Sequence, residues 1–267
     1  HPNIIKLYGA STVDVSRACL VLELAESSLD DSLHGPLARP PNNELALWVA
    51  YQIACGLAYL HSMNVFHRDL KPKNVLCCKD GRLVLCDFGL AKVKRAAETS
   101  AASTVGLVGT VAYMAPEVFE NDPRRDYAKV DVFAFAVVLY ELVTCQRPWA
   151  EFAPHAIAVA VGRGDRPAMS AAARKAHANL LVVLEECWHG DARRRPAIDA
   201  VAKRLEGCCT AVSVDARPTV PSPVGEAPGT SAQISASNGG ARDDRATYVV
   251  SGSFDNTVRV WAMADGA

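Results

Sequence analysis

Several things are scarce in this 267-residue sequence, and each absence excludes something. Its nine cysteines include no C-x-x-C spacing, which removes the common zinc and dithiol frameworks. Cys77/Cys78 and Cys208/Cys209 are adjacent pairs, and neighbouring cysteines rarely bridge, so the thiols read as reduced and the compartment as intracellular, cytoplasmic. Charge of one sign is missing too: the net charge is -1, which leaves no electrostatic footprint for nucleic acid or an anionic membrane. No apolar run reaches the roughly 18 residues of a membrane span. The longest, "VDVFAFAVVLYELV" at 130–143, carries Asp131 and Glu141 and reads as a buried core helix. The sequence begins at His1, without a methionine or signal peptide, and stops abruptly in "WAMADGA", so it reads as a piece of a longer protein.

What is present is apolar and patterned. Half of the residues are hydrophobic, enough for a substantial core. "HPNIIKLYGA" and "ACLVLELA" read as two strands, joined by the polar stretch "STVDVSR". Between Asn43 and Met63 the period changes: Val49, Ile53, Leu57 and Leu60 recur at helical spacing behind Pro40 and Pro41. Helical patterns return at 128–144, 179–188 and 197–206. The small, polar residues 91–108 read as a loop. Residues 207–246, rich in Pro, Ser, Gly and Ala, read as a disordered linker.

"NVLCCKDGRLVLCDFG" holds two apolar runs around Lys79-Asp80-Gly81-Arg82, and Asp-Gly is a strong two-residue hairpin signal. A turn centred between Asp80 and Gly81 would set Asn74 opposite Asp87. Two such oxygen donors side by side suit Mg²⁺, which takes few protein ligands and completes its shell with water and phosphate. Asp69, one short loop away, can accept a proton from an attacking hydroxyl. Lys71 adds a point charge for a transferring phosphate. Base, cation and metal ligands are what phosphoryl transfer needs, because its catalysis is mostly positioning and charge stabilisation.

"HRDLKPKN" at 67–74, "DFG" at 87–89 and "APE" at 115–117 resemble the protein-kinase signature set, in order and at fitting separations. The resemblance implies an α+β protein-kinase-like fold, mainly its helical C-terminal lobe, over residues 1–206. It implies ATP and Mg²⁺ as cofactors and a protein Ser/Thr hydroxyl as acceptor. By resemblance Asp69 is the catalytic base, Lys71 the contact to the transferred phosphate, and Asn74 and Asp87 the metal ligands. Glu23 to Ala25 match the hinge that binds adenine, after Leu22 at the gatekeeper position, and Leu76 matches the residue beneath the ring. His67, Phe88 and Leu7 match a hydrophobic spine, Asp131 the acid that secures the catalytic loop, and Glu117 with Arg195 a buried ion pair. Arg68 matches an arginine that pairs with an activation-segment phosphate, for which Thr99, Ser100, Ser103 and Thr104 are candidate acceptors.

Lys71 in "LKPKN" and Thr110 in "GTVAYMAPE" resemble Ser/Thr kinases, while "GTVAYMAPEVF", "DVFAFAVVLYELVTCQRPW" and "CWHGDARRRP" together are similar to the tyrosine-kinase-like group, whose members mostly phosphorylate Ser or Thr. Lys71 disfavours the alternative of a tyrosine kinase. Ala136 and Cys145 stand where that family commonly has glycine, a difference expected to need only local repacking. Cys86, before "DFG", reads as a small buried hydrophobe rather than a reactive thiol. The Gly-rich loop, strand Lys and helix Glu of an active kinase would lie before "HPNI", so this stretch alone is expected to be inactive. The alternative reading is a pseudokinase scaffold acting through protein–protein contacts. Residues 247–267, "TYVVSGSFDNTVRVWAM" and beyond, resemble two strands of a WD-repeat blade, with Asp255 in the turn, Trp261 near the end and Ala262 where Asp usually follows. That short all-β remnant implies protein partners bound through a WD-repeat region.

Overall fold

The computed structural model describes residues 1–11, 19–36, 38–88, 110–120, 125–209, 247–252 and 258–263. They fall into two compact units. The larger takes His1–Ile4 and the chain from Glu26 onward; the smaller takes Ile5–Ala25 together with the C-terminal residues.

The larger unit is built on two apolar helices. α2 (Asn43–Ser62) starts where the Asn42 side chain accepts the Leu45 amide at 2.8 Å. It stops just before Asn64, whose left-handed backbone (φ 56°) cannot continue the helix. Val49, Ile53, Leu57 and Leu60 are all buried, as their spacing predicts. By length and mean hydropathy (1.2) α2 could cross a membrane, but 56% of it is buried inside this fold. α4 (Tyr127–Thr144) begins at Asp126, whose side chain accepts the Ala128 amide. Every residue from Val130 to Val143 is buried, so this helix is apolar all round because it is the centre of the unit. Each fully buried Phe or Leu on it contributes about 1.5–3 kcal/mol.

Shorter elements surround this pair. α1 (Leu29–His34) opens with a reciprocal cap between Ser28 and Asp31. α3 (Pro116–Phe119), α5 (Pro154–Arg163), α6 (Ala171–Ala176) and α7 (Ala178–Cys187) follow the chain, and α8 (Ile198–Cys209) packs on α2. α8 runs three residues past the expected boundary at 206.

Three short strands, β3 (Ser27–Ser28), β4 (Val75–Cys77) and β5 (Leu83–Leu85), form an antiparallel sheet in that order. Pairing of Leu76 with Val84 corrects the expected hairpin register by one residue. Cys78 N donates to Arg82 O and Gly81 N to Cys78 O, with Gly81 at φ 79°. That is a three-residue loop closed by a left-handed glycine, not a two-residue turn. Asn74 therefore faces Cys86, whose amide donates to the Asn74 carbonyl at 3.0 Å, and Asp87 lies one residue beyond.

The N-terminal residues are sewn to this sheet and to α2. Asn3 Nδ2 donates to Gln52 Oε1 and to Leu83 O, while Asn3 O accepts the Leu85 amide. In the smaller unit, β1 (Leu7–Ser11), β2 (Cys19–Leu22), β6 (Thr247–Gly252) and β7 (Val258–Met263) make one sheet in that order. The β6–β7 hairpin pairs antiparallel through all six residue pairs, and Leu20 of β2 pairs with Val250 of β6. The expected strands are thus present, although the resemblance gave no reason to place this hairpin beside β2. The 91–108 loop, its candidate acceptors, the 210–246 part of the linker and Asp255 lie outside the described residues.

Candidate active site

The loop between α2 and β4 is held open by one carboxylate. Asp131, fully buried on α4, accepts the His67 amide on Oδ2 at 2.8 Å and the Arg68 amide on Oδ1 at 2.7 Å. His61 reaches the same Oδ2 at 2.9 Å. Arg68 sits at φ 64°, a left-handed conformation that a bulky residue adopts only when its surroundings impose it. The carboxylate's bonds to the His67 and Arg68 amides hold that backbone just before Asp69.

Around Asp69 the predicted residues meet. Lys71 Nζ lies 3.2 and 2.9 Å from the two Asp69 carboxylate oxygens and also donates to Thr110 Oγ1 at 3.1 Å. Asn74 Nδ2 donates to Asp69 O at 2.7 Å and to Asp69 Oδ2 at 3.3 Å. Asp69, Lys71 and Asn74 thus form one hydrogen-bonded cluster, closed from the far side by Thr110. Fixing the Asn74 nitrogen leaves its Oδ1 with no protein donor among the described residues.

Asp87, exposed and left-handed at φ 58°, follows β5. An amide oxygen and a carboxylate are the donor types that a hard cation takes, so Asn74 and Asp87 fit Mg²⁺ by chemistry. Cys86 before it is buried, and burial pushes its thiol up to about 12, which makes it inert as the sequence suggests.

Among the supporting residues, Glu117 and Arg195 pair as the resemblance implies. Arg195, fully buried, makes a two-pronged pair with Glu117 at 2.7 and 2.9 Å. His67 is also buried, its ring 6.4 Å from that of Phe88, and burial pushes the imidazole below its ordinary value. Arg68 stacks on the Tyr127 ring at 4.0 Å rather than on any described acidic group. Leu76 lies in the middle of β4, partly buried. Glu23 and Ala25 belong to the smaller unit. There Glu23 bonds Lys6 through backbone and side chain, and Leu7 of the proposed spine is 54% exposed. Cys145 corrects one expectation. It ends α4 in the left-handed conformation (φ 50°), so what it gives up relative to glycine is backbone freedom, not packing.

Sequence reasoning missed a second buried polar cluster. Glu141 on α4, fully buried, accepts from Tyr113 OH at 2.5 Å and meets His34 Nε2 at 2.5 Å and Arg147 Nη1 at 3.3 Å. Arg147 also grips Asp30 through both of its terminal nitrogens. Burial raises the Glu141 carboxyl, and burial first, then the Glu141 charge, raises the Tyr113 phenol. The one available signal was a glutamate inside an otherwise apolar run.

The profile of the family described as protein tyrosine and serine/threonine kinase matches residues 1–205. Protein R831 of Acanthamoeba polyphaga mimivirus is 35% identical over 208 residues, covering 77% of this chain and 13% of that protein. Serine/threonine-protein kinase CTR1 of Arabidopsis thaliana is 34% identical over 212 residues, covering 77% of this chain and 24% of the kinase. Mitogen-activated protein kinase kinase kinase 7 of Homo sapiens is 37% identical over 213 residues, covering 76% and 32%. The chain therefore spans a third or less of the length of these relatives. With its catalytic-loop cluster and a match over residues 1–205, the chain belongs to the protein tyrosine and serine/threonine kinase family.

Proposed function

We propose that the protein carrying this chain transfers the γ-phosphoryl group of ATP to a Ser or Thr hydroxyl of a protein, as a member of the tyrosine-kinase-like group. Asp69 accepts the hydroxyl proton and Lys71 neutralises charge on the transferred group. Asn74 and Asp87 hold Mg²⁺, which supplies charge stabilisation on the phosphates. Glu23, Ala25 and Leu76 receive the adenine. The observation that carries this reading is Lys71 Nζ shared between Asp69 and Thr110, since it sets base, cation and hydroxyl-facing loop in one cluster. The relatives named as serine/threonine-protein kinases support the choice of acceptor.

In the full-length protein, Asp69→Asn is expected to cut turnover by about 10²–10⁴-fold, the usual worth of a positioned general base, with ATP affinity nearly unchanged. Undiminished turnover would sink the assignment. We further infer that residues 247–267 open a WD-repeat region that recruits protein partners, supported by the antiparallel pairing of β6 with β7. The sequence following Ala267 tests it, and a continuation without further repeats would remove the idea.

A further inference from the structure

The sheet of the smaller unit is assembled from two hairpins that lie at opposite ends of the chain, β1–β2 and β6–β7. Each is well paired within itself, β1 with β2 through four residue pairs and β6 with β7 through six. The joint between the hairpins is a single pair, Leu20 with Val250. It is the weak seam of the sheet, along which β6–β7 can leave as one piece and β2 can take another strand.

The edge at this seam matters for the nucleotide. Glu23 to Ala25, which receive adenine in the reading above, follow β2 directly. Leu20 has Ala10 on one flank and Val250 on the other, so β2 has no edge left for a further strand. A cation for the phosphates of that nucleotide has to come from a strand beside β2. Neighbouring strands lie about 4.8 Å apart, whereas a strand outside β1 would stand about 10 Å from β2. The strand lysine that the resemblance places before His1 is such a cation. The flank of β2 not held by its own hairpin partner is the one that β6 occupies. Strand addition works through main-chain hydrogen bonds, which either segment can make, so the two compete for one edge.

We propose that the C-terminal hairpin is an intramolecular competitor for the outer edge of β2. Seated there, it excludes the lysine-bearing strand and leaves a nucleotide held at its adenine end alone. Released, it lets that strand complete the site. The inference rests on the phosphoryl-transfer reading above. Hairpin and nucleotide are antagonists, each weakening the hold of the other by the same factor. The contact is backbone pairing, so a break in the β6 ladder relieves it whatever the surface chemistry of the hairpin.

The test uses the full-length protein and its Val250→Pro variant, assayed on a Ser/Thr peptide that the wild type phosphorylates. Proline removes one ladder donor and fixes φ, so β6 loses its pairing. ATP KM is expected to fall about three- to tenfold, as for a site whose competent form is about a tenth to a third populated, while peptide KM stays constant. A synthetic peptide of residues 247–263, added to the variant, is expected to raise ATP KM again. Amide exchange gives an activity-free readout: in the wild type, a non-hydrolysable ATP analogue with Mg²⁺ quickens exchange in residues 247–252 while α2 keeps its protection. If the proline unfolds the whole hairpin the competitor is still lost, so the expected fall in ATP KM is the same. An ATP KM that is unchanged or raised in Val250→Pro, an added peptide without effect, or exchange in 247–252 that nucleotide slows or leaves alone would each overturn the proposal. A wild-type protein without transferase activity would overturn the functional reading and this inference together, whereas an active wild type with an indifferent Val250→Pro overturns this one alone.

Discussion

Asp131 holds the Arg68 amide at 2.7 Å while Arg68 sits at φ 64°, so one buried carboxylate maintains a backbone conformation that the residue itself resists. The strain of such a conformation is about 1–3 kcal/mol, and two charge-assisted bonds from one side chain offset it. Asp131→Asn keeps the shape but turns an NH₂ group toward one of two amide donors. The expected result is a fall in kcat of at least about tenfold, with ATP KM changed far less, because the loop and its Asp69 lose their fixed direction. Steady-state kinetics of the full-length variant check it. Wild-type kcat would mean that the loop conformation does not depend on this carboxylate.

Arg195 and Glu117 predict a loss of stability. The guanidinium is fully buried and also donates to His189 O, Lys129 O and Gly190 O. Removing one partner of a buried pair leaves the other charge uncompensated, which costs about 3–5 kcal/mol. Arg195→Met should therefore lower the unfolding free energy by that order, measured by urea denaturation. Arg195→Lys should recover only part of it, because an ammonium cannot reproduce the two-pronged contact. A loss below about 1 kcal/mol for Arg195→Met would show the pair to be dispensable.

Much of this was legible in sequence because the chemistry of the site sits in short, ordered motifs. Asp69, Lys71 and Asn74 lie within a six-residue stretch, so local spacing alone could bring them together. The long helices were legible for another reason: α2 and α4 carry continuous periodic or apolar signals that no tertiary contact overrides. The hairpin register was misread because Asp80–Gly81 also fits a three-residue loop, in which Asp80 Oδ1 accepts the Arg82 amide and the glycine takes the third loop position. α1 was missed although Ser28 and Asp31 spell a cap, since its six residues give no periodicity. Of the Glu141 cluster only the glutamate itself, an acid inside a largely apolar run, was legible. His34, Tyr113 and Glu141 lie far apart in the chain, and nothing local in any of them announces the others.

Two substitutions at small residues should act in opposite directions. A Cβ on Gly56 of α2 would stand 2.7 Å from Asn3 O and 2.9 Å from Leu85 Cδ1, where backbone and sheet press on the helix. Gly56→Ala should therefore destabilise by about 1–3 kcal/mol despite the better helix propensity of alanine. Cys145→Gly should stabilise, by up to about 1–2 kcal/mol, because φ 50° costs a side-chain-bearing residue that much. Thermal unfolding of both variants checks the pair. A stabilised Gly56→Ala, or a destabilised Cys145→Gly, would contradict the geometry that predicts it.

Acid should weaken the fold before the carboxylates titrate. His67 and His177 are buried, and burial holds both imidazoles below their ordinary value. As pH falls below about 6.5 the unfolded chain takes up protons that the folded chain refuses. Stability then drops with falling pH, by about 1.4 kcal/mol per unit for each group, until the folded-state value is reached. Glu141 acts the other way: its raised carboxyl favours the folded state at low pH and loses that advantage as pH rises through its folded value. Asp31 and Asp80, both lowered by hydrogen bonds from neighbouring groups, add their acid sensitivity only below about pH 5. Urea midpoints between pH 7.5 and 5.5 should therefore fall. His177→Leu should flatten the fall by up to half, since its Nδ1 has no partner to lose. Glu141→Gln should steepen it. A wild-type midpoint that stays level over this range while His177→Leu leaves the profile unchanged would show that these imidazoles are protonated in the folded state as readily as in the unfolded one.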